Sequence, residues 1–238
     1  LMDLTIMSDA ATMFLTGPRV VRAVTGEDVD ARTLGGPEVH GARTGSAHLL
    51  APDDDAALAL AGRVLSYLPS AAWLPAPAVD PVAPVHDDPG AAVPRDPRAP
   101  YDVRDVIAGV VDGDSFLELQ DRWARNLVVG FARMEGRSVG VIANQPAWLA
   151  GVLDATASEK GARFVRMCDA FGLPLVVLVD VPGFLPGSEQ EHGGVIRRGA
   201  KLLHAFTSAT VPRVSLVLRK AYGGAYIVMN SRSIGADA

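Results

Sequence analysis

The residues with the clearest chemical potential form a glycine-containing turn near the end of the sequence. An apolar pattern typical of a buried strand covers residues 214–218, and Gly223, Gly224 and Ala225 then open a helical pattern. Glycine lets a ligand approach the backbone closely, and the first amides of a helix lack intrahelical acceptors and lie at the positive end of its dipole. Such a turn suits a developing oxyanion, for example an enolate oxygen. Because many strand-to-helix turns use glycine for packing alone, the turn by itself leaves both interpretations open.

A second segment repeats this order of strand, loop and helix. The pattern predicts a buried strand at residues 175–179 and a helix at residues 192–206, joined by a rigid loop of proline and glycine. The residues selected from the loop and the helix start are Pro182, Gly183, Phe184, Gly193 and Gly194. His192 and the two glycines after it are similar to the oxyanion segment of esterases, but the Gly-x-Ser-x-Gly motif that this chemistry needs is absent from the sequence. A serine hydrolase is therefore a weak alternative.

The elements that must position these residues alternate between strands and helices, which favours an α/β architecture. The further predicted elements are a helix at 102–111, strands at 127–134 and 138–143 with a turn at Glu135-Gly136, and a helix at 155–171. Periodicity alone does not separate a ββα spiral from a doubly wound sheet. Asn144 follows the second of these strands, and we interpret it either as a residue of the site or as a cap.

A proline-rich segment divides the chain. Nine of the seventeen prolines lie within residues 69–100, which excludes a long helix or a central strand there and predicts an extended linker over the surface. The predicted organisation is thus a first part at residues 1–68, which ends with a helix at 53–67, and a second part at residues 101–238.

Long blocks of the sequence resemble a known enzyme family. The blocks VDVPGFLPG, QEHGGVIRRGAKLL and RKAYGGAYIVM, with LGGPEVHGARTGSAH and SEKGARFVRMCDAFGLPLVVL, are similar to the carboxyltransferase (beta) subunit of biotin-dependent acyl-CoA carboxylases of the propionyl-CoA and acetyl-CoA type. The resemblance covers nearly the whole chain except the proline-rich segment. It implies a crotonase-like ββα spiral in two related halves. We expect both halves to be truncated, because residues 1–7 look like a strand in progress and residues 233–238 like a strand just begun.

The resemblance also assigns chemistry to the glycine turn. It implies that the amides of Gly224 and Ala225 form one oxyanion hole, that Gly223 permits the turn, and that a second hole lies just before Leu1. Two such holes would stabilise the enolate of an acyl-CoA and the ureido oxygen of biotin, whose N1 atom then accepts the α-proton. This chemistry needs no nucleophilic side chain, so the glycine turns are more informative than acid–base residues.

Other selected residues are expected to line the substrate pockets. By resemblance, Pro182, Gly183 and Phe184 wall the biotin pocket, while Gly193 and Gly194 start a second helix that faces the site. A core position for the phenylalanine and a simple helix start for the two glycines are the structural alternatives.

Ile227 is expected to influence the choice of acyl chain. In the family this position is either aspartate or an apolar residue, and it tracks acyl-chain preference. Isoleucine suits a pocket that accepts acetyl, propionyl and butyryl groups. The alternative is that Ile227 belongs to the core.

The function implied by the resemblance is transfer of a carboxyl group from carboxybiotin to the α-carbon of a short-chain acyl-CoA. We expect the biotin on a separate carrier chain, because no Met-Lys-Met biotinylation motif occurs here, and biotin carboxylation on another subunit. Facing halves from different subunits imply a dimer-based homo-oligomer, expected to be a hexamer. The alternatives are a decarboxylase or transcarboxylase subunit of the same fold and a truncated, non-catalytic scaffold protein.

Composition excludes several other classes of function. The net charge of −5 gives no basic footprint for nucleic acid, and no run reaches the roughly 20 apolar residues of a membrane span. The five histidines lack metal-site spacing, so no metal is expected. The single cysteine, Cys168, excludes an internal disulfide framework and fits a reducing compartment, which predicts a cytoplasmic protein with this residue in its core.

Overall fold

The computed structural model describes residues 2–71 and 73–238, which leaves Leu1 and Ala72 outside the described residues. The strand expected at residues 1–7 and the linker expected at residues 69–100 therefore each fall partly outside them. The described chain separates into two compact units.

The first unit comprises residues 1–65 and 120–123. Its two short strands pair in parallel, with Ile6 opposite Leu49. The carboxylate of Asp53 accepts a hydrogen bond of 2.8 Å from the amide of Ala56, and this cap begins the helix where the sequence predicts it. The elements are β1 (Ile6–Ser8), α1 (Pro18–Thr25), α2 (Ala31–Gly35), a π-helical turn (Val39–Arg43), β2 (Leu49–Ala51) and α3 (Asp54–Leu65).

The second unit comprises residues 66–119 and 124–238, and it contains a five-stranded sheet in the order β3-β4-β5-β6-β7. Its elements are α4 (Val103–Ala108), β3 (Leu117–Leu119), β4 (Leu127–Met134), β5 (Arg137–Asn144), α5 (Ala155–Ala170), β6 (Leu175–Val181), α6 (Ser188–His192), α7 (Val195–Ser208), β7 (Arg213–Ala221) and α8 (Gly223–Val228). The pairs β3–β4 and β4–β5 are antiparallel, whereas β5–β6 and β6–β7 are parallel. The predicted mixed α/β architecture is confirmed.

The hairpin of β4 and β5 forms where the sequence predicts it. Glu135 and Gly136 both have positive φ, at 50° and 76°, as a two-residue turn between twisted strands requires. The carboxylate of Asp112 accepts hydrogen bonds from both of their amides, at 2.9 and 2.7 Å. Nearly every residue of the two strands is buried, which explains their apolar composition.

Helix α5 packs the predicted apolar face into the core. Asp154 caps it by accepting a hydrogen bond of 2.7 Å from the amide of Ala157. Phe164, Val165 and Cys168 are buried, and burial raises the pKa of the cysteine thiol, so this residue is a neutral part of the core as predicted.

The prediction of a single helix at residues 192–206 is wrong at the start of the helix. The chain forms two helices there, α6 and α7, and the second begins at Val195. Gly193 ends the first helix, and Gly194 has φ +79°, a left-handed conformation that interrupts the helical ladder. The helix predicted at 102–111 is also shorter than expected, because Gly109 caps it after Ala108.

The described part of the proline-rich segment is held by hydrogen bonds. It contains one short 3₁₀ turn, Pro89–Ala92. The amide of Val79 donates to the carbonyl of Gly136 at 3.0 Å, and Arg133 Nη1 donates to the carbonyl of Pro77 at the same distance.

The last residues of the chain contact β7. After a 3₁₀ turn at Arg232–Ile234, the amide of Asp237 donates to the carbonyl of Arg213 at 2.9 Å, and Ser215 donates to Ala238 at 2.8 Å. These two bonds join the end of the chain to the edge strand, although the expected strand at residues 233–238 is not formed.

Candidate functional site

The two loops selected from the sequence leave the sheet at the same edge. β6 and β7 are parallel neighbours, so their carboxyl ends lie side by side. β6 ends at Val181 and leads into Pro182, while β7 ends at Ala221 and leads into Tyr222. The amide of Tyr222 donates to the carbonyl of Val181 at 3.2 Å, which ties the two strand exits together.

The glycine turn begins helix α8 without a side-chain cap. Gly223 has φ +59°, which favours glycine, and its neighbour Gly224 is exposed while Ala225 is buried. Tyr226 is the first residue whose amide donates to a carbonyl of the preceding turn, that of Tyr222, at 3.3 Å. The amides of Gly224 and Ala225 precede this bond, as the first amides of a helix do, and their oxyanion role remains a prediction.

Gly224 lies on the wall of a cavity of about 380 Å³. The other walls come from the loop after β6 and from one face of α7, and they are largely apolar. The principal lining residues are Phe184, Val195, Gly199, Leu203, Gly224 and Val228, with Glu191 as an ionisable neighbour. Two residues selected from the sequence, Phe184 and Gly224, are thus brought together around one cavity.

The ring of Phe184 is fixed by close packing against α7. A Cβ atom on Gly199 would lie 3.1 Å from two atoms of this ring, so a larger residue there would require the ring to shift by a few tenths of an ångström. The loop is also held through its backbone, because Leu153 donates to the carbonyl of Gly183 at 3.0 Å and Leu185 donates back to Leu153 at 2.7 Å. The cavity therefore has a preformed wall on this side.

Gly193 and Gly194 lie between two residues that line the cavity, Glu191 and Val195, but they do not line it themselves. They set the start of α7 and so the direction of its lining face. Pro182 and Gly183 likewise precede the lining residue Phe184 along the loop. The binding roles expected for these four residues remain predictions.

Asn144 is completely buried at the end of β5. Its Nδ2 donates to the carbonyl of Gly151 and its Oδ1 accepts from the amide of Asp180, both at 3.2 Å. The side chain thus joins β5 to β6 in this structure, and a contact with substrate stays a prediction.

Ile227 is 44% exposed and does not line the cavity, which the same helix approaches through Gly224 and Val228. An acyl pocket at Ile227 would therefore lie on another face of α8. The second oxyanion hole expected before Leu1 lies outside the described residues.

Sequence reasoning missed the contribution of α7. Val195, Gly199 and Leu203 line the cavity at intervals of four residues, which is the spacing of one helix face. The predicted helix at residues 192–206 already contained this spacing, but nothing in the sequence indicated that this face of the helix meets the loop after β6.

Among the described residues, no group of three or more His, Cys, Asp or Glu side chains could hold a metal ion. Within the same residues, every helix is too short or too polar to cross a membrane.

Comparison with known proteins gives a consistent result over the whole chain. A family model for the carboxyl transferase domain matches residues 1–238. The methylmalonyl-CoA carboxyltransferase 12S subunit of Propionibacterium freudenreichii subsp. shermanii is 53% identical over 241 residues, covering 100% of this chain and 46% of that protein. The propionyl-CoA carboxylase beta chain of Saccharopolyspora erythraea is 52% identical over 248 residues, covering 99% of this chain and 45% of that protein. The chain spans about half the length of these curated relatives.

Solved structures show the same similarity. The transcarboxylase 12S hexamer, crystallised with methylmalonyl-CoA and methylmalonic acid, superposes with a TM-score of 0.95 at 52% identity, covering 99% of this chain and 47% of that chain. A single-chain, multi-domain long-chain acyl-CoA carboxylase superposes with a TM-score of 0.85 at 31% identity, covering 95% of this chain and 22% of that chain.

Proposed function

The chain belongs to the carboxyl transferase domain family, and we propose that it forms part of an active site that transfers a carboxyl group from carboxybiotin to the α-carbon of a short-chain acyl-CoA. The products would be of the malonyl-CoA or methylmalonyl-CoA type. The crotonase-like fold expected from the sequence is confirmed by the match to solved transcarboxylase and acyl-CoA carboxylase structures.

One observation carries this proposal: Gly224 offers a backbone amide beside an apolar cavity, ahead of the first hydrogen bond of α8. Both substrates of a carboxyltransferase develop negative charge on a carbonyl-type oxygen. Backbone amides held in place by the fold stabilise such charge without reorganising during the reaction. Phe184 and the apolar face of α7 present largely apolar surface beside this amide, and a bound reactant would displace water from it, which strengthens the interaction further.

The cavity also fits the group that the family uses. A volume of about 380 Å³ with largely apolar walls suits a small fused ring system whose one polar edge meets the amides of Gly224 and Ala225. When bound, carboxybiotin supplies the carboxyl group that is transferred and the nitrogen that accepts the α-proton. The residues of this chain bind and orient the reactants and stabilise the oxyanion, so no acid–base side chain is assigned to them.

The partners follow from this chemistry. We propose that biotin arrives on a separate carrier protein, that a biotin carboxylase subunit loads it, and that the protein works in the cytoplasm as a dimer-based homo-oligomer, a hexamer. The mass of the whole protein in analytical ultracentrifugation tests the oligomer, and a monomer at micromolar concentration would contradict it.

The activity is tested on the whole protein with biotin carboxylase, biotinylated carrier, ATP and radiolabelled bicarbonate. Label is expected to appear in the carboxylated product of acetyl-, propionyl- or butyryl-CoA. A transcarboxylase would instead move label from methylmalonyl-CoA to an acceptor acid without ATP, and a decarboxylase would release it as carbon dioxide. Absence of all three activities would favour the alternative of a non-catalytic scaffold protein.

Ile227→Asp is expected to change which acyl-CoA is preferred. The wild-type protein should use acetyl-, propionyl- and butyryl-CoA with a broad preference, because each methylene changes binding by only about 1–3 kcal/mol. A carboxylate at this half-exposed position should alter the ranking of kcat/KM among the three esters. Leu58→Asp, on an exposed position of α3, is the matched control and should leave the ranking unchanged. An unchanged ranking in both variants would remove Ile227 from the acyl pocket.

A further inference from the structure

Asp180 is a completely buried carboxylate on β6, two residues before the loop that carries the wall of the cavity. Its Oδ1 accepts a hydrogen bond from the amide of Lys220 at 3.0 Å. Its Oδ2 accepts from the hydroxyl of Tyr101 at 2.9 Å and from Nε of Arg219 at 3.1 Å. The arginine side chain is only 11% exposed, so the ion pair is largely shielded from water. We call Asp180, Arg219 and Tyr101 the Asp180 cluster.

The cluster lies at an irregularity in the pairing of β6 with β7. Val179 pairs with Val217 and Val181 pairs with Ala221, so β6 advances by two residues while β7 advances by four. A bulge of this kind bends the strand and redirects the residues that follow it. The carboxylate closes the bulge by binding one of its amides and one of its side chains. The next element along β7 is the turn at Gly223, so its direction depends on how the bulge is closed.

The cluster also fastens the end of the proline-rich segment to the sheet. Arg219 Nη1 donates to the carbonyls of Asp96 and Ala99 at 2.8 and 3.0 Å. Its guanidinium carbon lies 5.0 Å from the ring centroid of Tyr101. Burial and the neighbouring charge of Asp180 raise the pKa of the tyrosine, which keeps its hydroxyl protonated as a donor. Contacts from β6, from β7 and from the end of the proline-rich segment therefore all hold the bulge in place.

We propose that the Asp180 cluster positions the amides of Gly224 and Ala225 for oxyanion stabilisation. None of its members lines the cavity, so they act through the backbone of β7 as positioning residues. The catalytic part of this inference rests on the proposed function, whereas the structural part can be measured without any turnover. Oxyanion donors are sensitive to small displacements, because their effect depends on distances near 3 Å to the developing charge.

The chain contains a closely matched control away from this site. Arg133 is also buried, donates to the carbonyls of Ser66 and Pro77, and stands 4.8 Å from the ring of Tyr67. It therefore braces the described chain in the same chemical manner. It pairs with Ser138 near the start of β5, far along the sheet from the carboxyl ends of β6 and β7.

The experiment compares Arg219→Lys and Tyr101→Phe with Arg133→Lys and Tyr67→Phe in the whole protein. Amide hydrogen exchange at residues 222–226 is expected to speed up about tenfold in the first pair only, because local opening of the turn becomes easier. For the same pair, kcat should fall about tenfold or more while KM for the acyl-CoA changes less than about threefold, because the interaction that is weakened stabilises the transition state. The control pair should keep the wild-type exchange rate and the wild-type kcat, even where its Tm falls as much as that of the first pair.

Amide hydrogen exchange tests the positioning role, and turnover by the wild-type protein tests the proposed function. Equal exchange in the two pairs would overturn the positioning role, whether or not the wild type turns over. Faster exchange with unchanged kcat would show that the cluster holds the turn but that the turn is not the oxyanion site. If Arg219→Lys fails to fold, Tyr101→Phe retains the ion pair and provides the same comparison.

Discussion

Gly224→Val in the whole protein is expected to slow carboxyl transfer by about 100- to 1000-fold, which is the usual cost of losing one oxyanion donor. The branched side chain would occupy the space through which an oxygen atom reaches the amide. The chain itself can accept the substitution, because a Cβ at Gly224 would meet no heavy atom within 4 Å and its φ is not positive. The measurements are kcat and kcat/KM, which should fall together, and Tm, which should change little.

Gly62→Val is the matched control for this substitution. A Cβ at Gly62 would also meet nothing within 4 Å, and this residue lies in α3 rather than beside the cavity. The control is expected to keep the wild-type rate. A Gly224→Val protein with the wild-type rate and an unchanged Tm would show that this amide does not face the reacting oxygen.

The order of elements around this glycine could be predicted because it depends on local sequence. The strand β7, the positive φ needed at Gly223 and the two-residue turn at Glu135 and Gly136 are each specified by neighbouring residues. The burial expected for the apolar run of β7 is wrong, because β7 is the edge strand of the sheet and Val214, Leu216 and Val217 are exposed. The resemblance to known blocks then supplied a role for the amides. Local rules therefore sufficed to find the turn, although they could not place it beside Phe184.

The break between α6 and α7 could not be predicted in the same way. Helical patterns lie on both sides of Gly193 and Gly194, and glycine is compatible with either a continuous helix or a left-handed break. The structure adopts the break, with φ +79° at Gly194, and α7 begins as a separate helix at Val195. The packing of Gly199 against Phe184 joins this helix to the loop after β6, and periodicity within either segment could not indicate that contact.

Tertiary contacts also determine the structural roles of two buried polar residues. Asn144 follows a strand, which made a site role and a capping role equally reasonable from the sequence, and its amide joins β5 to its neighbours. Asp180 sits inside an apolar strand pattern, where its partners lie 39 and 79 residues away along the chain. No local signal could identify those partners.

Asp180→Asn is expected to destabilise the protein by about 3–5 kcal/mol, because it removes one partner of a buried ion pair. Asparagine has nearly the same shape as aspartate, but it would leave the charge of Arg219 largely shielded from water without a counter-charge. The measurement is the thermal or denaturant midpoint of the whole protein. Asp9→Asn is the control, since the ion pair of Asp9 with Arg32 is exposed, and removing it should shift the midpoint little. Equal shifts in the two variants would contradict a buried, strongly coupled pair.

The double variant Asp180→Asn, Arg219→Gln separates stability from positioning. Removing both charges avoids a buried unpaired ion, so part of the lost stability should return. The bulge in β7 would still lack its carboxylate brace, so the rate should remain low and exchange at residues 222–226 fast. Recovery of the rate together with stability would mean that the pair only holds the fold together. Recovery of stability without the rate would mean that the buried charge is retained because it directs the backbone amides beside the cavity.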